Sequence, residues 1–151
     1  MELEQESKVL IERYMAAYFT VTKRMNGELR EVLQDDMTMD QFQIIDYIVM
    51  QGKVTSTELA DTFAVGKSSI TAIITRLADK GILERTRDND DRRVVYLSLT
   101  ERGIGHYKKA QAKIMETLST YLVHFNAEEV EGFLGVFEKL AYLLEEESGE
   151  S

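Results

Sequence analysis

Between Ile82 and Leu99 the hydrophobic period of this chain switches from helical to alternating, and on both sides of that stretch it is helical. Ile82-Leu83-Glu84-Arg85-Thr86-Arg87 has β character, and Asp88-Asn89-Asp90-Asp91 is a polar turn cluster. From Arg93 to Leu99 the residues alternate, with Val95, Leu97 and Leu99 on one face. This spacing predicts one hairpin with a charged tip, set in an otherwise helical chain. The sequence contains no proline, which agrees with long uninterrupted helices.

Upstream, apolar residues recur at helical spacing from about Ser7 to Leu33, in two adjacent rows. One row runs through Leu10, Tyr14, Tyr18, Val21, Met25, Leu29 and Val32, and the other through Ile11, Met15 and Phe19. The band is wider than one packing face requires. Asp35-Asp36 marks its exit. Thr38 and Gln41 have the spacing of a capping box, opening a helix that carries Phe42, Ile45, Ile48 and Val49 and stops at Gly52. Thr55 and Glu58 form a second such box, opening a short helix through Leu59, Ala60 and Phe63. Val65-Gly66 is expected to turn the chain into a helix from Lys67 to Lys80, ended by Gly81. A tiny extra strand is expected near Lys53-Val54.

After the hairpin, Thr100 is an N-cap for a long helix. Ile104, Tyr107, Gln111, Ile114, Leu118, Tyr121 and Phe125 fall on a 3-4 heptad seam along it, with polar Gln111 filling one slot. Asn126 to Glu129 cap a last helix carrying Val130, Phe133, Phe137, Leu140 and Leu144. Residues 147–151 close the chain as an acidic tail, expected to be disordered. The expected order is four helices, two strands and two helices.

Two short helices joined by a tight turn and followed by a hairpin have the layout of a winged helix-turn-helix. In the helix at 67–80, Ile70, Ile73, Ile74 and Leu77 share one face, suited to packing. The opposite face carries Ser68, Thr71, Ala72 and Thr75, short side chains that can meet base edges or a thymine methyl. Lys67 and the helix N-terminus favour phosphate, and Arg76 flanks the face. Thr55 and Ser56, at the start of the preceding helix, complete the expected contacts outside the wing. A solvated Ser/Thr face is the plain alternative. The hairpin weighs against it, because its arms and tip carry Arg85, Arg87, Arg92 and Arg93. Arginine is favoured in a narrow minor groove, where negative potential concentrates. Asp91 is placed to hydrogen-bond Arg93 and hold it extended.

The formal net charge of −9 argues against DNA only until it is mapped. Residues 53–93 hold eight basic and seven acidic side chains, whereas residues 1–52 and 94–151 each hold five and ten. The least acidic segment is the one with the expected contacts, and basic groups need sit on one face only.

Asp91-Arg92-Arg93, then five residues, Leu99-Thr100, two residues and Gly103 resembles the wing signature of the MarR family of transcriptional regulators. Thr57-Glu58-Leu59-Ala60 and the run from Ser68 through Leu83 resemble its helix-turn-helix. The resemblance extends over nearly the whole chain. It implies one domain over 1–151, mainly α with a small β wing, with a winged helix-turn-helix at 38–99 between dimerisation helices at 6–34 and 101–146. It implies a homodimer that binds double-stranded DNA at a palindromic operator, as a repressor released by a ligand. By this resemblance Arg93 enters the minor groove, Asp91 orients it, and Ser69 joins Ser68, Thr71, Ala72 and Thr75 at the major groove. A small aromatic or amphipathic effector is implied, with Met15, Tyr18, Phe19, Met39 and Phe42 as its pocket; plain core is the alternative for these five.

Other chemistries find little support. The chain has no cysteine, which excludes disulfides, thiolate metal sites and thiol redox sensing, including the cysteine-based peroxide sensing of some family branches. Gly66-Lys67-Ser68 lacks the glycine of a phosphate-binding loop, since Asp61 stands there. His106 and His124 are eighteen residues apart, about five turns if on one helix, too far to share a metal within a chain. No cofactor or metal is expected, and no nucleophile–base pattern suggests an enzyme. The first residues lack a signal-peptide layout and no apolar run is membrane-length, so the expected location is the cytoplasm. The rival reading is a protein-interaction module on the same scaffold; the register of Asp91 and Arg93 disfavours it.

Overall fold

The computed structural model describes residues 1–34 and 36–149 and divides into two compact units, 1–114 and 115–151. The first unit begins with α1 (Glu2–Leu33), α2 (Met39–Gln51), β1 (Val54–Thr55), α3 (Ser56–Thr62) and α4 (Lys67–Asp79). It continues with β2 (Leu83–Arg87), β3 (Val95–Leu99) and the first part of α5 (Glu101–Leu122). The second holds the end of α5 and α6 (Ala127–Gly149). The architecture is mainly helical with a small β wing, as expected.

The first unit is built on helix boundaries that the side chains dictate. At α2 the Thr38 hydroxyl accepts the Gln41 N–H at 3.1 Å and the Gln41 carboxamide accepts the Thr38 N–H at 3.2 Å, the full reciprocal box. Gly52 ends α2 at φ +85°, where an L side chain is strained. At α3 only half of the second box forms among the described residues: Thr55 Oγ1 accepts the Glu58 N–H at 3.1 Å. The chain turns between α3 and α4 at Phe63-Ala64 rather than at Val65-Gly66. Ala64 takes φ +52°, and Gly66 is extended as the N-cap of α4. Alanine tolerates the left-handed region there at a cost of about 1 kcal/mol. The Val65 N–H donates to Ala60 O at 3.2 Å and satisfies the end of α3.

The sheet order is β1-β3-β2, antiparallel throughout, with Val54 opposite Leu97 and Leu83 opposite Leu99. β1 lies one residue later than expected. Ile44, Ile45, Ile48, Val54, Leu59, Ile70, Ile74, Leu77, Ile82 and Leu97 form the heart of the core. The helical period of α2 and α4 and the alternation of β3 converge on it, because each puts its apolar residues on one side. Tyr107 of α5 joins this core at its edge: its ring stacks on Phe42 at 5.5 Å and its hydroxyl donates to Asp46. The hydrogen bond to Asp46, then burial, pushes the Tyr107 hydroxyl up to about 12.

Several expectations are corrected. Helix α1 starts at Glu2, five residues before Ser7, because nothing in this stretch breaks it and Glu2 and Glu4 suit a helix N-terminus. Only Leu29 and Leu33 of α1 are buried. α5 ends at Leu122, so Phe125 and His124 lie beyond it and the seam does not continue to residue 125 in helical form. Along that seam Tyr107 and Ile114 are buried, while Ile104, Leu118 and Tyr121 are exposed.

In the second unit, Asn126 caps α6: its side chain accepts the Glu129 N–H at 2.8 Å and Glu129 returns the bond at 3.1 Å. No described residue of α6 is buried, and Phe133 and Phe137 stack on each other at 5.2 Å on its surface. α6 continues to Gly149, so residues 147–149 of the expected disordered tail are helical. The run Glu145-Glu146-Glu147 before it favours helix, and the Ser148 hydroxyl bonds back to Leu144 O at 2.9 Å. The remainder of that expectation, at 150 and 151, lies outside the described residues, as does Asp35. Among the described residues no helix is long and apolar enough to cross a membrane.

Candidate nucleic-acid interface

The interface starts at a helix end that, like that of α1, carries no side-chain cap. Thr38, Thr55, Thr100 and Asn126 each place a side-chain oxygen on the first turn of the helix that follows. α4 begins on Gly66 with no side-chain cap. Its first-turn N–H groups therefore face solvent and the positive end of its dipole is open, the arrangement that receives a phosphate.

Along α4, Ile70, Ile74 and Leu77 are buried and Ile73 is half-buried, so the inward face is the expected one. Lys67, Ser68, Ser69, Thr71, Ala72, Thr75 and Arg76 are all exposed. The structure brings these together as one outward surface. Thr71 differs in detail from expectation, because its hydroxyl donates to Lys67 O at 2.7 Å. It presents a methyl and an oxygen acceptor, which suits a thymine methyl or an amino donor on a base. Half-buried Thr55 accepts the α3 cap bond on its oxygen, which leaves its O–H as a donor, while Ser56 beside it is exposed.

The wing is a built object rather than a loose tip. Asp91 Oδ1 accepts both the Arg93 N–H and its Nε–H at 3.1 Å, and Oδ2 accepts from Nη2 at 3.3 Å. The Arg93 side chain is nonetheless 91% exposed, so the carboxylate orients the guanidinium without burying it. Asp91 is the partner expected from sequence. Asp88 was not singled out, yet its Oδ1 accepts the N–H of Asp90 at 2.8 Å and of Asp91 at 3.2 Å. The available signal was aspartate at the head of a turn, where its side chain mimics a backbone acceptor. Arg87, at the end of β2, donates from Nη1 to Arg92 O at 2.7 Å across the hairpin. Arg92 itself is exposed.

The wing is anchored at its base by the Leu99-Thr100 and Gly103 part of the signature. Thr100 N–H donates to Ile82 O at 3.0 Å, and its hydroxyl donates to Gly81 O while accepting the Gly103 N–H at 2.9 Å. Gly103 lies so close to the Ile82 carbonyl that a Cβ there would sit 2.1 Å from the oxygen. These residues have a purely structural task.

The Asp88 and Asp91 carboxylates are held below the ordinary 3.8. For Asp91 the Arg93 side chain is the main cause and the Arg93 N–H the second; for Asp88 it is the N–H of Asp90, then that of Asp91. A group whose folded pKa is lowered contributes stability above its unfolded value and loses it as pH falls through the lowered one. The amide resonances of Asp90, Asp91 and Arg93 are therefore expected to hold still from neutral pH to about pH 5 and to move together at lower pH. A two-dimensional NMR titration checks this; a common midpoint above 3.8 would contradict it.

The five expected pocket residues are not gathered within one chain. Met15, Tyr18 and Phe19 are exposed on α1, at 61%, 54% and 65%. Met39 and Phe42, on α2, are half-buried against the core, with Phe42 committed to Tyr107. Among the described residues no group of three or more metal-binding side chains occurs.

Comparison with known proteins agrees with this geometry. The model of the MarR family matches residues 35–94, which include α2, the helix-turn-helix and the wing tip. The homoprotocatechuate degradative operon repressor of Escherichia coli is 29% identical over 115 residues, 76% of this chain and 73% of that protein. A MepR-like protein crystallised with pseudoligands is 36% identical, with a TM-score of 0.64 over 89% of this chain and 95% of its own. A mutant MarR from Escherichia coli in complex with operator DNA is 25% identical, with a TM-score of 0.74 over 86% of this chain and 94% of its own. With the fold, the wing signature and a 36% identical relative matched over nearly its full length, this chain belongs to the MarR family of winged helix-turn-helix, DNA-binding transcriptional regulators.

Proposed function

We propose that this regulator is a repressor that binds a palindromic operator as a homodimer and leaves it when a small aromatic or amphipathic ligand binds. The observation that carries the reading is the pairing of an uncapped α4, with its face of short side chains, and a wing whose Arg93 is held out by Asp91. Ser68, Ser69, Thr71, Ala72 and Thr75 read the major groove, Lys67, Arg76, Thr55 and Ser56 hold phosphates, and Arg92 and Arg93 work at the minor groove. Two copies place their α4 helices in successive major grooves, about 34–36 Å apart.

Dimerisation is supported by apolar surface. On α1, Leu10, Ile11, Tyr14, Met15, Tyr18 and Phe19 are all more than half exposed. On α6, Phe133 and Val136 are 62% and 72% exposed. Contiguous apolar faces of this kind are seldom left open to water. A repressor role draws support from the operon-repressor relative, and a ligand from the relative crystallised with pseudoligands. Met15, Tyr18, Phe19, Met39 and Phe42 are then pocket candidates only in the dimer, where a second copy covers α1.

The test is selection of duplexes from a random library by the purified protein near physiological salt. An enriched palindrome with half-sites one helical turn apart is the expected result. Enrichment of a single half-site, or of nothing, would overturn the dimeric operator reading.

A further inference from the structure

We propose that Arg87 and Asp88 are positioning residues of the wing, acting on DNA affinity only through the placement of Arg93. The inference rests on the wing as a DNA contact and deepens that reading. Charge alone would give them opposite roles, a basic residue attracted to phosphate and an acidic one repelled by it.

The hydrogen bonds decide between these roles. The loop from Asp88 to Val94 is closed at its neck by Asp88 N–H to Val94 O at 2.9 Å and narrowed by Val94 N–H to Asp91 O at 3.0 Å. Inside that neck, the Asp88 carboxylate gathers the N–H groups of Asp90 and Asp91, which fixes the backbone of Asp91. Asp91 is the residue whose two oxygens grip Arg93. Arg87 approaches from the other side and holds the carbonyl of Arg92, the residue between Asp91 and Arg93. Each of the two therefore pins one flank of the Asp91–Arg93 unit. A guanidinium N–H spent on a backbone carbonyl at 2.7 Å ties the exposed Arg87 head group to the tip. Holding Arg93 in one orientation before binding spares the rotamer entropy that a free arginine would lose on the duplex.

The sign of one substitution separates positioning from charge. Removing a carboxylate near phosphates tightens binding if only charge matters. If Asp88 positions the tip, Asp88→Ala weakens binding by about tenfold, against that charge effect. Asp88→Asn keeps the accepting oxygen and is expected to bind at least as well as the parent protein.

The measurement is operator affinity of the full-length protein by fluorescence anisotropy over a salt series, on the selected palindrome, with thermal melting as a folding control. It is made for Asp88→Ala, Asp88→Asn, Arg87→Ala, Arg93→Ala and the double variant Arg87→Ala/Arg93→Ala. The expected outcome is that Arg87→Ala costs affinity alone but adds less than about twofold on top of Arg93→Ala. Multiplying losses, with the salt slope of Arg93→Ala falling by a further ~0.9 per wing, would make Arg87 a phosphate contact and overturn the inference. Equal or tighter binding by Asp88→Ala would overturn it for Asp88. Failure of the parent protein to bind any duplex would instead sink the DNA reading itself, and this inference with it.

Discussion

Replacing Gly103 with alanine is expected to destabilise the protein by about 3 kcal/mol, although alanine is the better helix former. Two effects compete. In the interior of a helix, glycine to alanine ordinarily gains about 1 kcal/mol. Against it stands the added methyl, 2.1 Å from Ile82 O and 3.0 Å from Ile82 C. A backbone carbonyl cannot rotate aside as a long side chain does, so α5 must move away from the start of β2. That movement strains the Thr100 N–H bond to Ile82 O and the hydroxyl bond to Gly81 O. Overpacking of about 1–3 kcal/mol together with weakened hydrogen bonds of about 1 kcal/mol each outweighs the propensity gain. Gly105, two residues on in the same helix, is the internal control, because nothing lies within 4 Å of a Cβ built there. Gly105→Ala is expected to raise stability by about 0.5–1 kcal/mol. Chemical denaturation of both variants reads the two signs. A Gly103→Ala protein as stable as its parent would show that α5 does not need its close seat on Ile82.

The second large effect is on binding. Arg93→Ala is expected to lower operator affinity by about tenfold per wing, about a hundredfold for two wings on one palindrome. The thermal midpoint is expected to stay where it is, because the Arg93 side chain is 91% exposed and buries no core surface. Removing Arg93 leaves Asp91 without its main cationic partner, so the Asp91 pKa is expected to rise back towards 3.8. Affinity measured by anisotropy together with a melting curve separates the two readouts. A variant that binds normally would remove the wing from the mechanism. One that melts much earlier would show that the ion pair supports the fold rather than the contact.

How far the sequence went can be read from individual residues. Thr38 with Gln41, and Asn126 with Glu129, formed full capping boxes, because such boxes need only neighbours three positions apart. The inward face of α4 and the alternation of β3 were legible for the same reason: period depends on local geometry alone. The hydrogen bonds between Asp91 and Arg93 were legible because the two residues stand two apart in a tight loop.

What the sequence missed depends on contacts that no local pattern encodes. The turn before α4 falls on Ala64 because the ends of two packed helices must be joined, and glycine preference alone pointed to Gly66. The scatter of Met15, Tyr18, Phe19, Met39 and Phe42 follows from where α1 meets the core, which only its last turns do. The role of Asp88 required the loop's hydrogen bonds, since an Asp-Asn-Asp-Asp run equally suits a solvated turn. Sequence by itself therefore determined the order of the elements, most of their caps, their buried faces and the residues proposed to meet DNA. Tertiary structure decided which of those residues are free to reach a partner and which are spent holding others in place. A side chain's periodicity is local, but the hydrogen-bond partners and close approaches that occupy it come from folding the chain back on itself.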